Sequence, residues 1–570
     1  MPNSSDFNRF SVNPVNIDIS RSLLNMDHSV KFSCNVGEVI PFDCIEVLPG
    51  DTFTIDTSKV LRLQPLVAPI MDEVYLDVYW FFVPNRLVWS HWKEFMGENN
   101  TSAWAPSVEY KIPTIQAPSG GWNVGTIADY LGLPVGSSLA TQYDDFSALP
   151  FRAYALICDQ WFRSEAVMDP VHVFIDDTNR TGSNGSNQVT DIELGGKPFI
   201  ACKMFDYFTG ALPQPQRGSG ASIPLVASDD TVYLPVVNKS ILDHPYASGH
   251  STDDIGVHAT YKTGDALGTL SAFNKSYNLD VYSNSRLTNG TQDTSASGNN
   301  IYFDNLYARV NDESFDSVKI NDLRIAFAIQ KYLEKQARYG GRYQEYIKAF
   351  FNVDSPDARI QRSEYLGGSR ISLNINSVEQ TSATESGTTP LGNVAGMSVT
   401  ADRHSDFTKS FTEHGQLIGC CVARYSHSYQ DMVHKMWLRK TPYEFYNPVF
   451  ANIGEQKIEK RQLYGYLPNN ANMGAFGYQE AWAEYRYMPS RVAGEMRSVY
   501  TTPLDMWHLA DHYNTTPSLS PEWLREDKSN LDRCLAVTSA VSNQIICDFY
   551  IKTKTELYYN GLQDATYQVE

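Results

Sequence analysis

From Val74 onward the chain alternates, so that Val74, Leu76, Val78, Trp80 and Phe82 line one face of an expected strand. The opposite face begins with Glu73 and Asp77 but ends with Phe81 and Val83, and the end of this strand therefore has to be covered on both sides. The cover is either an inserted segment of the same chain or a neighbouring subunit. After Pro84 the period becomes helical, with Asn85 as N-cap, Leu87, Val88, Trp92, Phe95 and Met96 on one face, and Gly97 as the stop. Two strands are expected upstream. EVIPFDCIEVL leads to the turn Pro49-Gly50-Asp51, and TFTIDTSKVLRL turns Phe53, Ile55, Leu61 and Leu63 to one side. A final strand, QIICDFYIKTKTEL, alternates Ile545, Cys547, Phe549 and Ile551 with Ile546, Asp548, Tyr550 and Lys552. Strands at both ends of the chain, with helices and loops between, fit a β-sandwich that carries long connections.

The intervening text divides by composition. Residues 1–30 are polar and unpatterned and are expected to form an extended arm. A helix is expected over 151–163, FRAYALICDQWFR. Residues 205–300 are rich in Gly, Ser, Asn, Thr and Pro and read as a large surface insertion with some β-structure of its own. The strongest helical signal follows, with Tyr343, Tyr346, Ile347, Phe350 and Phe351 on one face and Gly340-Gly341 as the break between two helices. Residues 377–400 read as a second polar loop.

Composition narrows the class. The chain has 570 residues, a formal charge of −19 and 34 Tyr, a residue suited to surfaces that become buried against a partner. That charge excludes a protein that coats nucleic acid with its whole surface, while leaving room for local basic patches. The eight cysteines form no C-x-x-C and read as buried free thiols of a reducing compartment. No secretory signal and no membrane-spanning run is expected.

The candidate chemistry is sparse. No phosphate-binding loop, dinucleotide fingerprint, H-E-x-x-H or G-x-S-x-G is present, and no cofactor is expected. His508 and His512 in DMWHLADH would share a helix face with Asp505 and Asp511 nearby, the nearest approach to a metal site. They read more simply as hydrogen-bonded residues of an aromatic packing region beside Trp507 and Tyr513. His427 and His434 read as surface or interface residues. Between Lys319 and Arg370 basic residues alternate with tyrosines, an arrangement that can hold single-stranded nucleic acid or simply form a solvated helix face paired with Glu334 and Glu345.

Longer motifs carry a resemblance. PGDTF, PIMDEVYLDVYWFFVPNRLVWSHWKEFMGE, SPDARIQRSEYLGG, FTKSFTEHG, NIGEQ, FGYQEAWAEYRYMPSRVAGEMRS and LDMWHLA, in this order, closely resemble the major capsid protein of microviruses, small single-stranded-DNA bacteriophages, in their gokushovirus branch. The resemblance spans residues 20 to beyond 510 and is weak over 205–300 and the last fifty residues. It implies a mainly β protein, an eight-stranded viral jelly roll with long inserted loops and several helices, and a structural rather than enzymatic role. It also implies a sixty-copy T=1 shell around circular single-stranded DNA, with the 205–305 insertion as a threefold protrusion used in host attachment. The partners it implies are a small basic DNA-packaging protein, scaffolding and pilot proteins and a host surface receptor, with assembly in the bacterial cytoplasm. The chain then divides into the arm 1–30, a first jelly-roll part 31–204, the insertion 205–305, and 306–570 with helices, further loops and C-terminal strands. Expected subunit contacts are Trp80, Phe81, Phe82, Val83, Asn85, Arg86 and Trp89, for which a packed core under inserted helices is the alternative. Expected DNA-facing residues are Arg21, Lys31, Arg324, Lys331, Lys335, Arg338 and Arg342. The readings from other classes are a carbohydrate-binding or carbohydrate-cleaving β-sandwich and a cell-surface adhesin.

Overall fold

The computed structural model describes residues 21–98, 110–136, 145–218, 320–339, 342–382, 391–451, 453–467 and 474–558, together with the backbone of short strands between 236 and 308. The chain forms two compact units, one of Met1–Ser219 with Lys331–Glu570 and one of Gly220–Gln330.

The first unit is built on two antiparallel sheets. Its long strands are β1 Arg21–Asn25, β2 His28–Cys34, β3 Ile40–Val47, β4 Thr52–Leu63, β5 Val74–Pro84, β6 Glu364–Ser372, β7 Thr400–Ser410, β8 Gly415–Tyr425 and β9 Ile545–Tyr558. Sheet one runs in the order β1, β9, β4, β7, with β2 also paired to β9, and sheet two runs β6, β5, β8, β3. The alternating strands turn their apolar sides toward one common core. Phe53, Ile55 and Leu61 of β4 and Cys547, Phe549 and Ile551 of β9 share it with Leu76, Val78 and Trp80 of β5 and Leu417 of β8. Phe42 of β3 bridges the two sheets, with its ring 5.0 Å from Phe549 and 5.3 Å from Trp80. Burying six such side chains from one sheet face stabilises by roughly 9–18 kcal/mol, from roughly 1.5–3 kcal/mol each, an upper bound because the unfolded chain already buries part of that surface.

Sheet two is covered on its other face as well. Phe81, Val83, Ile418, Cys420 and Val422 belong to a second core together with Trp89, Trp122, Phe199 and the helix α1, Leu149–Ile157. That is why β8 is buried at every position but Arg424, and why β5 loses its alternation beyond Tyr79. Where β6 crosses β5 only glycine fits, since a Cβ on Gly368 would stand 1.9 Å from the Val78 carbonyl oxygen. A third core joins Tyr207, Phe208 and Ala211 to Tyr429, Ile458, Leu463 and Phe476.

Several expectations change. Residues 21–30 are strand rather than arm, because β1 and β2 complete the free edge of β9; residues 1–20 lie outside the described residues. Asn85 does not cap a helix: Pro84 occupies that position, and the Asn85 N–H continues the sheet by donating to the His414 carbonyl at 3.1 Å. The helix expected to end at Gly97 is two short ones, Asn85–Val88 and Trp92–Phe95, split where both Ser90 donors reach the Ile175 carbonyl at 2.9 Å. Helix α1 continues beyond Ile157 as a π-turn, Cys158–Phe162. The described ends of the tract 377–400 pair as strands, Ile375–Glu379 against Val394–Ser398, which alternation did not reveal because both faces of the pair are mostly solvated; residues 383–390 lie outside the described residues. Residues 205–218 pack within the first unit through Tyr207 and Phe208, so the second unit starts later than the composition suggests.

The second unit holds short antiparallel pairings, among them Ala259–Thr263 with Ala266–Leu270 and Leu279–Tyr282 with Arg286–Asn289. Val236–Asn238 pairs with Leu306–Ala308, which brings the entering and leaving segments side by side. The expected helix pair is present as α2, Ile320–Tyr339, and α3, Tyr343–Phe351, with Gly340-Gly341 outside the described residues.

Candidate functional site

The expected contact residues at the end of β5 are interior in the single chain. Trp80 and Phe82 lie in the sandwich core, Phe81, Val83 and Trp89 in the second core, and the Asn85 side chain is also buried. Trp80 donates its indole N–H to Asp406 at 3.1 Å, and Trp89 donates to Asp177 at 2.6 Å. Side chains without exposed surface have nothing left to bury against a neighbour. The packed-core alternative therefore describes these six, and Arg86, half-buried in an ion pair with Glu413 at 2.6 Å, is the member that reaches solvent. The polar residue on the same strand face, Asp77, is met by two arginines, Arg370 at 2.9 Å and Arg424 at 2.5 Å. Burial alone would push the Asp77 carboxyl up, but these guanidiniums hold it below its ordinary value.

The basic residues separate into engaged and free. Arg338 bonds Glu455 at 2.8 Å and Glu480 at 3.2 Å, so its charge is neutralised within the chain. Arg342 donates to the Asp159 carbonyl at 2.7 Å, and Arg362 donates to the Gln160 carbonyl at 2.7 Å while stacking 3.8 Å from Trp161. These two arginines satisfy carbonyls that the π-turn leaves open, which makes them clamps between the helical segment and α1. Lys335 lies 4.8 Å from the Phe350 ring. Arg324 and Lys331 are exposed on α2, and Lys31 is exposed on β2 opposite Asp548 at 3.2 Å. The Arg21 side chain lies outside the described residues, though its backbone opens β1.

A buried polar network is the feature that sequence reasoning missed. His427, expected at the surface or in an interface, is fully enclosed between Asp511, 3.1 Å from Nδ1, and Glu526, 2.9 Å from Nε2. Lys203 reaches Asp511 at 2.8 Å, Tyr513 donates to it at 2.9 Å, and Asn530 donates at 2.5 Å. Burial would push the imidazole down, but the two carboxylates outweigh it and raise its pKa to about 9. Two carboxylates on two ring nitrogens require both nitrogens to donate, so His427 is an imidazolium. Asp511, despite its burial, is held well below the usual carboxylate range by Lys203 and His427. Two cations against two carboxylates give a neutral cluster, and it ties the segment after β8 to the chain at 203, 511–513 and 526–530. No local signal announces it, since His427 is 84 residues from Asp511 and 99 from Glu526.

His508 and His512 do not form a metal pair. A single 3-10 turn, Asp505–Trp507, precedes extended backbone at His508, so the two rings part: His508 bonds the Met496 carbonyl at 2.6 Å and His512 bonds Asp431 at 3.0 Å. His434 is half-buried and accepts from the Met436 N–H at 3.2 Å. Among the described residues no group of three His, Cys, Asp or Glu side chains is arranged to hold a metal ion, and no helix is long and apolar enough to cross a membrane. All eight cysteines are free thiols, six of them buried.

Comparison with known proteins assigns this scaffold of two sheets and buried clamps to a known family. The profile of the capsid protein (F protein) family matches residues 14–558. Capsid protein VP1 of Spiroplasma virus 4 is 39% identical over 559 residues, covering 97% of this chain and 95% of that protein. Capsid protein VP1 of Bdellovibrio phage phiMH2K is 36% identical, covering 94% and 93%, and that of Chlamydia phage 1 is 35% identical, covering 95% of each. With the family's profile running through both sheets, all three cores and the buried His427 network, the chain belongs to the capsid protein (F protein) family and is a phage major capsid protein.

Proposed function

We propose that sixty copies of this chain close into a T=1 icosahedral shell around a circular single-stranded DNA genome, and that its central sandwich is an eight-stranded viral jelly roll. The strand order carries this reading. With β1 and β2 counted as one interrupted strand, sheet one takes the strands first, eighth, third, sixth, and sheet two takes them fifth, fourth, seventh, second. Two nested Greek keys produce that interleaving of antiparallel strands.

The part of the second unit ahead of α2, up to residue 305, is assigned to a surface protrusion at the threefold axes that takes part in host attachment. Its place in the chain between β5 and β6, its polar composition, and the pairing of its entering and leaving strands support this role. The genome has to be accommodated by a subunit of formal charge −19, so local cations and a small basic packaging protein share the task. Arg324, Lys331 and Lys31 are the exposed cations assigned to face DNA; Arg338 and Arg342 are occupied as internal clamps. Scaffolding and pilot proteins, assembly in the bacterial cytoplasm and a host surface receptor complete the proposal. Electron microscopy of particles from cells producing the phage proteins tests it: closed shells with threefold protrusions are expected, and open sheets or dispersed subunits contradict it.

A further inference from the structure

Between β8 and β9 the chain displays a set of large apolar side chains that its own fold leaves uncovered. Trp437, Tyr443 and Val449 are 72%, 76% and 83% exposed, and Phe445, Tyr446 and Tyr485 are each half exposed or more. The backbone beneath them is fixed rather than loose. Three successive 3-10 turns, Lys435–Trp437, Pro442–Glu444 and Pro448–Phe450, are capped in turn by the His434 side chain, a Thr441–Glu444 capping box and the Asn447 side chain. Arg439 is buried below them, bonded to Glu484 at 2.8 Å and lying 4.5 Å from the Tyr485 ring and 5.5 Å from the Phe445 ring. Trp482 donates to the Phe450 carbonyl at 3.0 Å and meets Tyr446 edge-on at 5.7 Å. A capped scaffold that holds rings outward has already met the ordering cost of a contact, as preorganised binding surfaces do.

We infer that this platform, residues 435–450 with Tyr485, is a contact between copies of the chain, and its occupant is the surface of a second subunit. The inference rests on the shell-forming reading above and names one of the faces it needs. Lys435 and Arg439 share the single carboxylate of Glu484, and Lys440 is exposed beside Glu444, so the platform is an apolar face with a slight positive balance. Such a face suits a neighbouring copy of this chain, whose formal charge is −19, and its large apolar area is what a protein–protein interface buries. The area is sufficient: six half-exposed or better large side chains, at roughly 100 Å² each, supply about 600 Å² of the ~800 Å² that one partner contributes to a standard interface.

The test uses the full chain. Val449→Glu combined with Tyr443→Ser is expected to lower the yield of sedimenting shells by roughly tenfold or more while circular dichroism and the melting temperature of the subunit stay unchanged. Val541→Glu, at an equally exposed position outside the platform, is expected to leave shell yield as in the wild type. A complementary measurement survives any folding defect of the double variant. In Val449→Cys the new thiol should react with a maleimide in free subunits and be protected in intact shells, relative to the wild-type background. Undiminished assembly of the double variant, or equal labelling in both states, overturns the inference while leaving shell formation intact. So does normal self-association of the variant with loss only of binding to another phage protein, which would make that protein the occupant. Absence of shells from the wild-type chain produced with the other phage proteins counts instead against the proposed function.

Discussion

His427 and Asp77 carry the electrostatic consequences that a single side chain can have in this fold. In an unfolded chain an imidazole titrates near 6.5, whereas His427 in the folded chain is raised to about 9. A folded-state pKa above the unfolded one means that His427 contributes its full stabilisation below about pH 6.5, loses it as pH rises, and contributes nothing above about pH 9. The shift corresponds to something on the order of 3 kcal/mol. Asp511 works in the opposite direction: held below its ordinary 3.8, it stabilises above that value, and the benefit is lost as pH falls further. The melting temperature of the subunit is therefore expected to fall between pH 6.5 and 9.5, and His427→Gln is expected to lower it at pH 6.5 and flatten that decline. An unchanged slope in the variant would place the alkaline sensitivity elsewhere. For Asp77, replacement by Ala leaves Arg370 and Arg424 facing each other over a buried gap. A loss of about 3 kcal/mol in urea unfolding is expected. Neither site was legible as such, because a buried charge is defined by partners remote in sequence. Asp77 stood out in the alternation, but Arg370 and Arg424 lie 293 and 347 residues away.

Strand β5 shows how far an element can be read from its own sequence. Its period-two face was correct to the residue, as were those of β4 and β9, because each has one side in the sandwich core and the pleat alternates side chains strictly. Its doubly apolar end was also legible, as a requirement for cover. What supplied the cover was not, since nothing local says that α1 and the segments around Trp122 and Phe199 fold over sheet two. The distinction is measurable. Phe81→Ala should cost the isolated subunit about 3–5 kcal/mol, as truncation of a buried aromatic does. A subunit interface residue would leave the isolated subunit's melting temperature unchanged and affect only assembly. The paired strands within 375–398 escaped notice for a related reason: a strand pair solvated on most of both faces has no alternation to read.

For the molecule as a whole, the balance is between a strongly negative subunit and a negative genome. The internal pairing of Arg338 and Arg342 leaves fewer free cations than the sequence suggests, and so gives more weight to Arg324 and Lys331, with Lys31 exposed but paired to Asp548. Charge reversal at Arg324 and Lys331 together is expected to reduce DNA content per shell without reducing shell yield; unchanged DNA content would remove them from the genome-facing set. The insertion ahead of α2 should behave as a surface structure: limited proteolysis of intact particles is expected to cut first within 220–300, and uniform resistance there would count against its placement outside the shell. The antiparallel sandwich was foreseen from the distribution of strands along the chain, whereas the pairing order that distinguishes one sandwich from another is a property of the folded molecule alone.

The most direct test of self-closure is the mass of the particle. Sedimentation and cryo-electron microscopy of material purified from cells producing this chain with the other phage proteins should yield one closed icosahedral species of sixty subunits. A chain that remains a well-folded, soluble monomer under those conditions would contradict the account.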